Sequence, residues 1–182
     1  MTFTSTGTAH TTETVEIAIA AARKHGLKQI VVASTTGATA QAFLPYAQEF
    51  NIVCVGHVYY FRPEVPQTMS DETQQELRDG GIKLFFGTHA LSGAERGISG
   101  RFQGAYPVEI MAHTLRMFGA GTKVGVECAV MALDAGLITP GPVVSVGGTG
   151  RGADTAIIVS PGNAARIMDT KIHEILCKPG LY

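Results

Sequence analysis

Net charge is nearly absent from this chain of 182 residues: 14 lysines and arginines face 15 aspartates and glutamates, for a formal charge of −1. That leaves no electrostatic footprint for nucleic acid and no basic patch for a membrane surface. No apolar run approaches the roughly 20 residues of a membrane span. The opening MTFTSTGTAHTTETVE has neither the basic start nor the apolar core of a secretory signal. Cysteine is scarce and odd in number: Cys54, Cys128 and Cys177 lie far apart without a CxxC pair, which excludes a disulfide framework or a zinc knuckle. The histidines have no metal-ligand spacing, so no metal is expected. A reducing, cytoplasmic setting follows. What is present is apolar substance: 45% hydrophobic residues, enough for one core and a single domain over residues 1–182.

The patterning alternates between helix and strand. Glu13 to His25 has apolar residues at helical spacing, with Thr11 or Thr12 as cap and Gly26 as stop. Gln29 to Ala33 reads as a buried parallel strand, followed by a helix from about Ala38 to Phe50 and a strand from Ile52 to His57. Ser70 caps a further helix that ends near Gly80, and Ile82 to Phe86 forms the next strand. Gly87 to Gly104 reads as a long functional loop. Pro107 opens a helix whose buried face is marked by Ile110, Met111, Leu115 and Phe118. Thr122 to Ala135 is a buried helix, two strands follow around a glycine loop, and Lys171 to Leu176 adds a last edge strand. The alternation predicts a three-layer α/β/α sandwich with a mainly parallel sheet. The unpaired edge of its last strand invites pairing with a second copy, a homo-oligomer.

Three polar loops leave strand ends on one side of such a sheet, where ligands bind. The first is Ser34, Thr35, Thr36, Gly37, Ala38 and Thr39. A strand-to-helix turn of this kind offers free backbone N–H groups and hydroxyls to a phosphate, or simply caps its own helix. It lacks the lysine of a Walker loop. The second is His89-Ala90-Leu91-Ser92-Gly93-Ala94-Glu95-Arg96, with Arg101 beyond. This is a lid that sets a guanidinium against an anion, a His89–Ser92 nucleophilic pair, or a solvated surface loop. The third is Gly147, Gly148, Thr149, Gly150, Arg151 and Asp154. Gly148, Gly150 and Ala153 mimic a dinucleotide fingerprint, but the loop enters a strand instead of opening a helix, so it is no Rossmann turn. Glu127 lies on an apolar helix and requires a partner, for which Arg96 or Arg151 would serve, as a structural ion pair or as part of a ligand contact. His57 precedes Tyr59, Tyr60 and Phe61, a grouping that can wall a flat ring or simply pack.

The run IVVASTTGATAQAFLPYAQEFNIVCV resembles the C-terminal α/β domain of pyruvate kinase. The stretches THALSGAERGIS, KVGVECAVMALDAGLI, VGGTGRGADTAIIV and DTKIHEILCKP resemble a family of stand-alone, mostly archaeal and bacterial proteins with that domain's fold. The resemblance implies flavin mononucleotide (FMN) as ligand. Its phosphate would face Ser34 to Thr39, with His89, Ser92 and the loop from Gly147 near the rest. Where such proteins carry a Phe-Asn-Lys-Pro-Gly-like segment, this chain has Phe3-Thr4-Ser5-Thr6-Gly7, without the lysine. Ser34–Thr39, His89, Ser92, Gly93, Arg96, Glu127, Gly147–Arg151 and Asp154 are thus the candidate ligand contacts. Three functions compete: an FMN-binding protein with redox capability, a regulatory domain sensing a small phosphorylated metabolite, and a small hydrolase or lyase using His89 and Glu127.

Overall fold

The computed structural model describes residues 1–180. The elements run β1 (Thr2–Phe3), α1 (Thr11–Lys24), β2 (Gln29–Ala33), α2 (Ala38–Gln41), β3 (Asn51–Gly56), α3 (Asp71–Asp79), β4 (Lys83–Phe86), α4 (Ala94–Phe102), α5 (Pro107–Arg116), α6 (Ala120–Asp134), β5 (Val143–Gly147), β6 (Thr155–Ser160) and β7 (Lys171–Pro179). The seven strands form one sheet in the order β1-β7-β6-β5-β2-β3-β4. β5, β2, β3 and β4 are parallel, and β6 is antiparallel to both of its neighbours. The chain is therefore an α/β protein with a mostly parallel sheet.

Each layer follows from its residues. The β-branched runs of β2, β3, β5 and β6 are covered on both faces, as parallel-type strands must be. On one face Ile30, Val32, Ile52 and Val144 pack against Val15, Ile19, Phe43 and Leu77 from α1, the α2 region and α3. On the other, Val31, Val53, Val143 and Ile157 meet Val126, Ala129 and Met131 of α6. α6 lies very close to the sheet because its contact points lack side chains. A Cβ at Gly121 would collide with Thr155, and one at Gly125 would stand 3.1 Å from Ile157 Cδ1.

Several elements differ from the expectation. α2 stops at Gln41 and a 3₁₀ turn, Leu44–Tyr46, takes over; Pro45 cannot donate to a continuing helix. The stretch Gly87–Gly104 contains α4, a helix obscured in sequence by Gly97 and Gly100 and with no buried residue. Polar ties hold it to α5: the Glu109 N–H donates to Glu95 Oε2 at 2.9 Å and Ser99 Oγ donates to Glu109 Oε1 at 2.7 Å. On α5 the buried residue is Ala112, whereas Ile110 is 55% exposed, and Phe118, beyond the helix end, is 52% exposed. The last strand is longer than expected, and β1 lies parallel along its far end only, Thr2 opposite Lys178 and Phe3 opposite Pro179; Lys171 to Ile175 has no further strand beside it among the described residues and keeps the expected edge. Neither Thr11 nor Thr12 caps α1, which is entered through a 3₁₀ turn at Thr8–His10. No helix among the described residues is long and apolar enough to cross a membrane.

Candidate functional site

The chain leaves β2 for β3 and β4 on one side, then returns to place β5 on the other. That reversal opens a crevice at the carboxyl ends of β2 and β5. Val146 is opposite Val32 in the register, so Gly148 and Ser34 leave the sheet side by side.

Ser34 is buried, and its Oγ accepts the N–H groups of Thr39 at 3.2 Å and Ala40 at 3.4 Å. The serine thus satisfies the start of α2. The amides of Thr35, Thr36, Gly37 and Ala38 make no hydrogen bond among the described residues. Thr36 is exposed. Gly37 has φ +94°, and a Cβ there would run into Thr73 of α3. This glycine answers to both backbone conformation and packing.

Thr35 connects the loop to a group of rings. Its Oγ1 is 3.4 Å from His57 Nε2. The His57 ring lies 4.5 Å from Phe61 and 5.4 Å from His89, and Phe61 stacks near His89 at 6.0 Å. His57 is held below the usual histidine range, first by burial, then by His89 and Arg62, against an opposing pull from Glu127. Burial likewise leads the lowering of His89; Glu127 raises it, and Lys123 and Arg96 lower it. Both imidazoles are therefore biased toward the neutral form.

Glu127 is buried, and its partner is neither Arg96 nor Arg151. Lys123, one turn earlier on α6 and equally buried, places Nζ 2.5 Å from Oε2. The other oxygen, Oε1, accepts the Leu91 N–H at 2.8 Å and the Ser92 hydroxyl at 3.3 Å. Ser92 is tied to the carboxylate, so the His89–Ser92 nucleophilic pair is not formed. Instead, Glu127 pins the turn that carries His89, with Leu91 as its fully buried plug. Gly93 closes that turn; a Cβ there would press on Thr88 and stand 2.9 Å from the His89 carbonyl oxygen. Arg96 is on the exposed face of α4.

The glycine loop faces inward more than outward. Asp154 is fully buried and accepts the N–H groups of Gly7 at 2.9 Å and Thr149 at 3.1 Å, together with the Thr155 hydroxyl at 2.9 Å. The Ala153 N–H donates to Thr11 Oγ1 at 3.0 Å. A Cβ at Gly148 would strike the Gly152 carbonyl, and one at Gly147 would strike that of Gly121. The loop is a clasp between the amino-terminal segment, α6 and the sheet. Only Gly150 and the exposed Arg151 turn to solvent.

The sheet brings the Ser34–Thr39 loop and the His89–Ser92 turn together, through His57. Asp154 and Gly147 are given to internal contacts. Lys123 escaped the sequence reading, although Lys and Glu at i and i+4 on an otherwise apolar helix was the available signal. A surface hollow of about 620 Å³ lies at the opposite, amino-terminal ends of the strands, between Lys28, Glu49, Thr139 and Pro142. Its one carboxylate, Glu49, is taken by Arg23. Among the described residues no His, Cys, Asp or Glu cluster is arranged for a metal. A family model described as pyruvate kinase, alpha/beta domain matches residues 12–159, from α1 through β6.

Proposed function

From a chain that belongs to the pyruvate kinase alpha/beta domain family, we propose a ligand-binding protein for FMN, at the carboxyl ends of β2 to β5. The observation that carries the reading is the junction at Thr35. On one side of it are unpaired amides suited to phosphate oxygens; on the other, 3.4 Å away, begins the His57–Phe61–His89 wall suited to a flat ring. Arg62 and Arg96 add positive field, felt at the two imidazoles. Asp154 is spent on backbone amides and sets no carboxylate against the phosphate.

FMN, when bound, supplies one- and two-electron transfer. The chain's own part is to bind and orient. Thr35 and Thr36 hold the phosphate end, Phe61 covers one ring face, and His89, kept neutral by burial, can accept or donate a proton at the ring edge. Glu127 fixes His89 through the turn it anchors. A sensor of a ring-less phosphorylated metabolite would use the same loop but not the aromatic wall.

The test is binding of added FMN, read by quenching of its fluorescence. We expect saturable quenching that Phe61→Ala abolishes or weakens without loss of fold, since Phe61 is 50% exposed. Thr36→Ala should weaken binding by roughly 1 kcal/mol for its lost hydrogen bond. A protein purified colourless that neither binds nor quenches FMN, yet gains thermal stability with a sugar phosphate, would overturn the flavin reading and support the sensor.

A further inference from the structure

On the α6 side of the sheet, a cavity of about 400 Å³ opens between β4, the turn after it, α4, α5 and the end of α6. That is within the roughly 300–1,000 Å³ of small-molecule sites. Its floor is apolar, from Phe85, Val108 and Met131, and its rim carries Glu95 and Asp134. His89 forms part of the wall, so the cavity abuts the ring cluster of the first site without sharing its phosphate loop.

The two rim carboxylates are built alike. Glu95 uses Oε2 to accept the Glu109 N–H at 2.9 Å, and Asp134 uses Oδ1 to accept the Ala164 N–H at 3.0 Å. Each is thereby fixed to a wall, and each keeps its second oxygen without a hydrogen bond among the described residues. Neither is within ion-pair distance of a basic side chain among those residues. No lysine or arginine lines the cavity, and the one imidazole in its wall is biased toward neutrality. Pre-oriented acceptors around an apolar floor favour a ligand with a protonated head and a hydrophobic body. The geometry points to a second binding site, for a small organic cation: an amine whose apolar part lies on Phe85, Val108 and Met131 and whose ammonium meets Glu95 and Asp134. The site stands independently of the flavin reading.

The experiment uses the full chain without FMN, labelled with ¹³C at the methionine methyls, and titrates phenethylamine. Met131 lines the floor, while Met117 and Met168, 81% and 80% exposed, report unspecific contact. We expect a saturable shift of the Met131 methyl alone. Phenethyl alcohol should bind roughly tenfold more weakly, and 3-phenylpropionate should leave Met131 unmoved. Glu95→Gln and Asp134→Asn keep the acceptor for the wall amide and remove the charge. Each should weaken phenethylamine roughly tenfold at unchanged melting temperature. The proposal falls if Met131 does not respond, if the three probes bind alike, or if the double variant binds the amine as tightly as the parent. None of these outcomes bears on FMN quenching.

Discussion

The buried pair Lys123–Glu127 allows a sharp quantitative forecast. Both side chains are about 5% exposed, and the carboxylate has three donors: Lys123 Nζ, the Leu91 N–H and the Ser92 hydroxyl. Glu127→Ala removes all three bonds at once. Breaking a buried pair costs about 3–5 kcal/mol because the remaining charge stays desolvated. The orphaned Leu91 amide adds about 1–3 kcal/mol. A loss of at least 4 kcal/mol is therefore expected, a large share of the roughly 5–15 kcal/mol that holds a typical domain. Lys123→Met also breaks the pair but leaves the carboxylate two of its donors, so it should cost less, about 3 kcal/mol, the low end of the range for a broken buried pair. Glu127→Gln can keep one strong bond, either to Leu91 or to Lys123, and should fall between. Combining Lys123→Met with Glu127→Gln leaves the amide oxygen to Leu91 and no buried charge, so the double variant should be more stable than the summed single losses by over about 1 kcal/mol. Urea unfolding of the parent and the four variants measures all of this. If Glu127→Ala costs less than about 1 kcal/mol, or if the pair is additive, the ion pair is not what fixes the His89 turn.

Further outcomes follow from the same structure. Asp154→Ala should destabilise by about 2–4 kcal/mol through the stranded Gly7 and Thr149 amides; Asp154→Asn should be milder, since Thr155 Oγ1 can reverse its role, and equal losses for the two in urea unfolding would refute this. Gly37→Ala should destabilise through both its φ of +94° and its collision with Thr73, and adding Thr73→Ser should recover only part of the loss in melting temperature; full recovery would remove the backbone contribution. The three cysteines are buried, with Cys54 pushed up to about 12 by desolvation, so a thiol reagent should titrate none until denaturant is added. Burial lowers His57 and His89 in the folded state, so the unfolded chain binds protons more readily. Stability should be greatest above the unfolded value of about 6.5 and fall as pH drops through it toward the folded values; a His57→Gln/His89→Gln variant with the same melting profile from pH 5 to 8 would contradict this assignment.

The sequence by itself determined the fold class and most of the layers. Gln29–Ala33, Val143–Gly147 and Thr155–Ser160 are read from local β-branched runs, because a strand buried on both faces must be apolar throughout. Ser70 marks the start of α3 because a cap is a contact within one turn, its Oγ accepting the Thr73 N–H. The glycine loop is legible as a strand-to-strand turn for the same local reason. α4 was hidden because it buries nothing, and the solvated residues and glycines that form it have no periodic apolar signature. The exposed faces of Ile110 and Phe118 were misread because helical spacing reports an apolar stripe but not whether anything covers it. Tertiary structure alone gave Glu127 the partner Lys123 and assigned Asp154 to the Gly7 and Thr149 amides. It alone brought His57 and His89, 32 positions apart in the sequence, to a ring separation of 5.4 Å. The physical reason is that burial and pairing of charge depend on which loops the sheet order sets side by side, and no local pattern along the chain encodes that order.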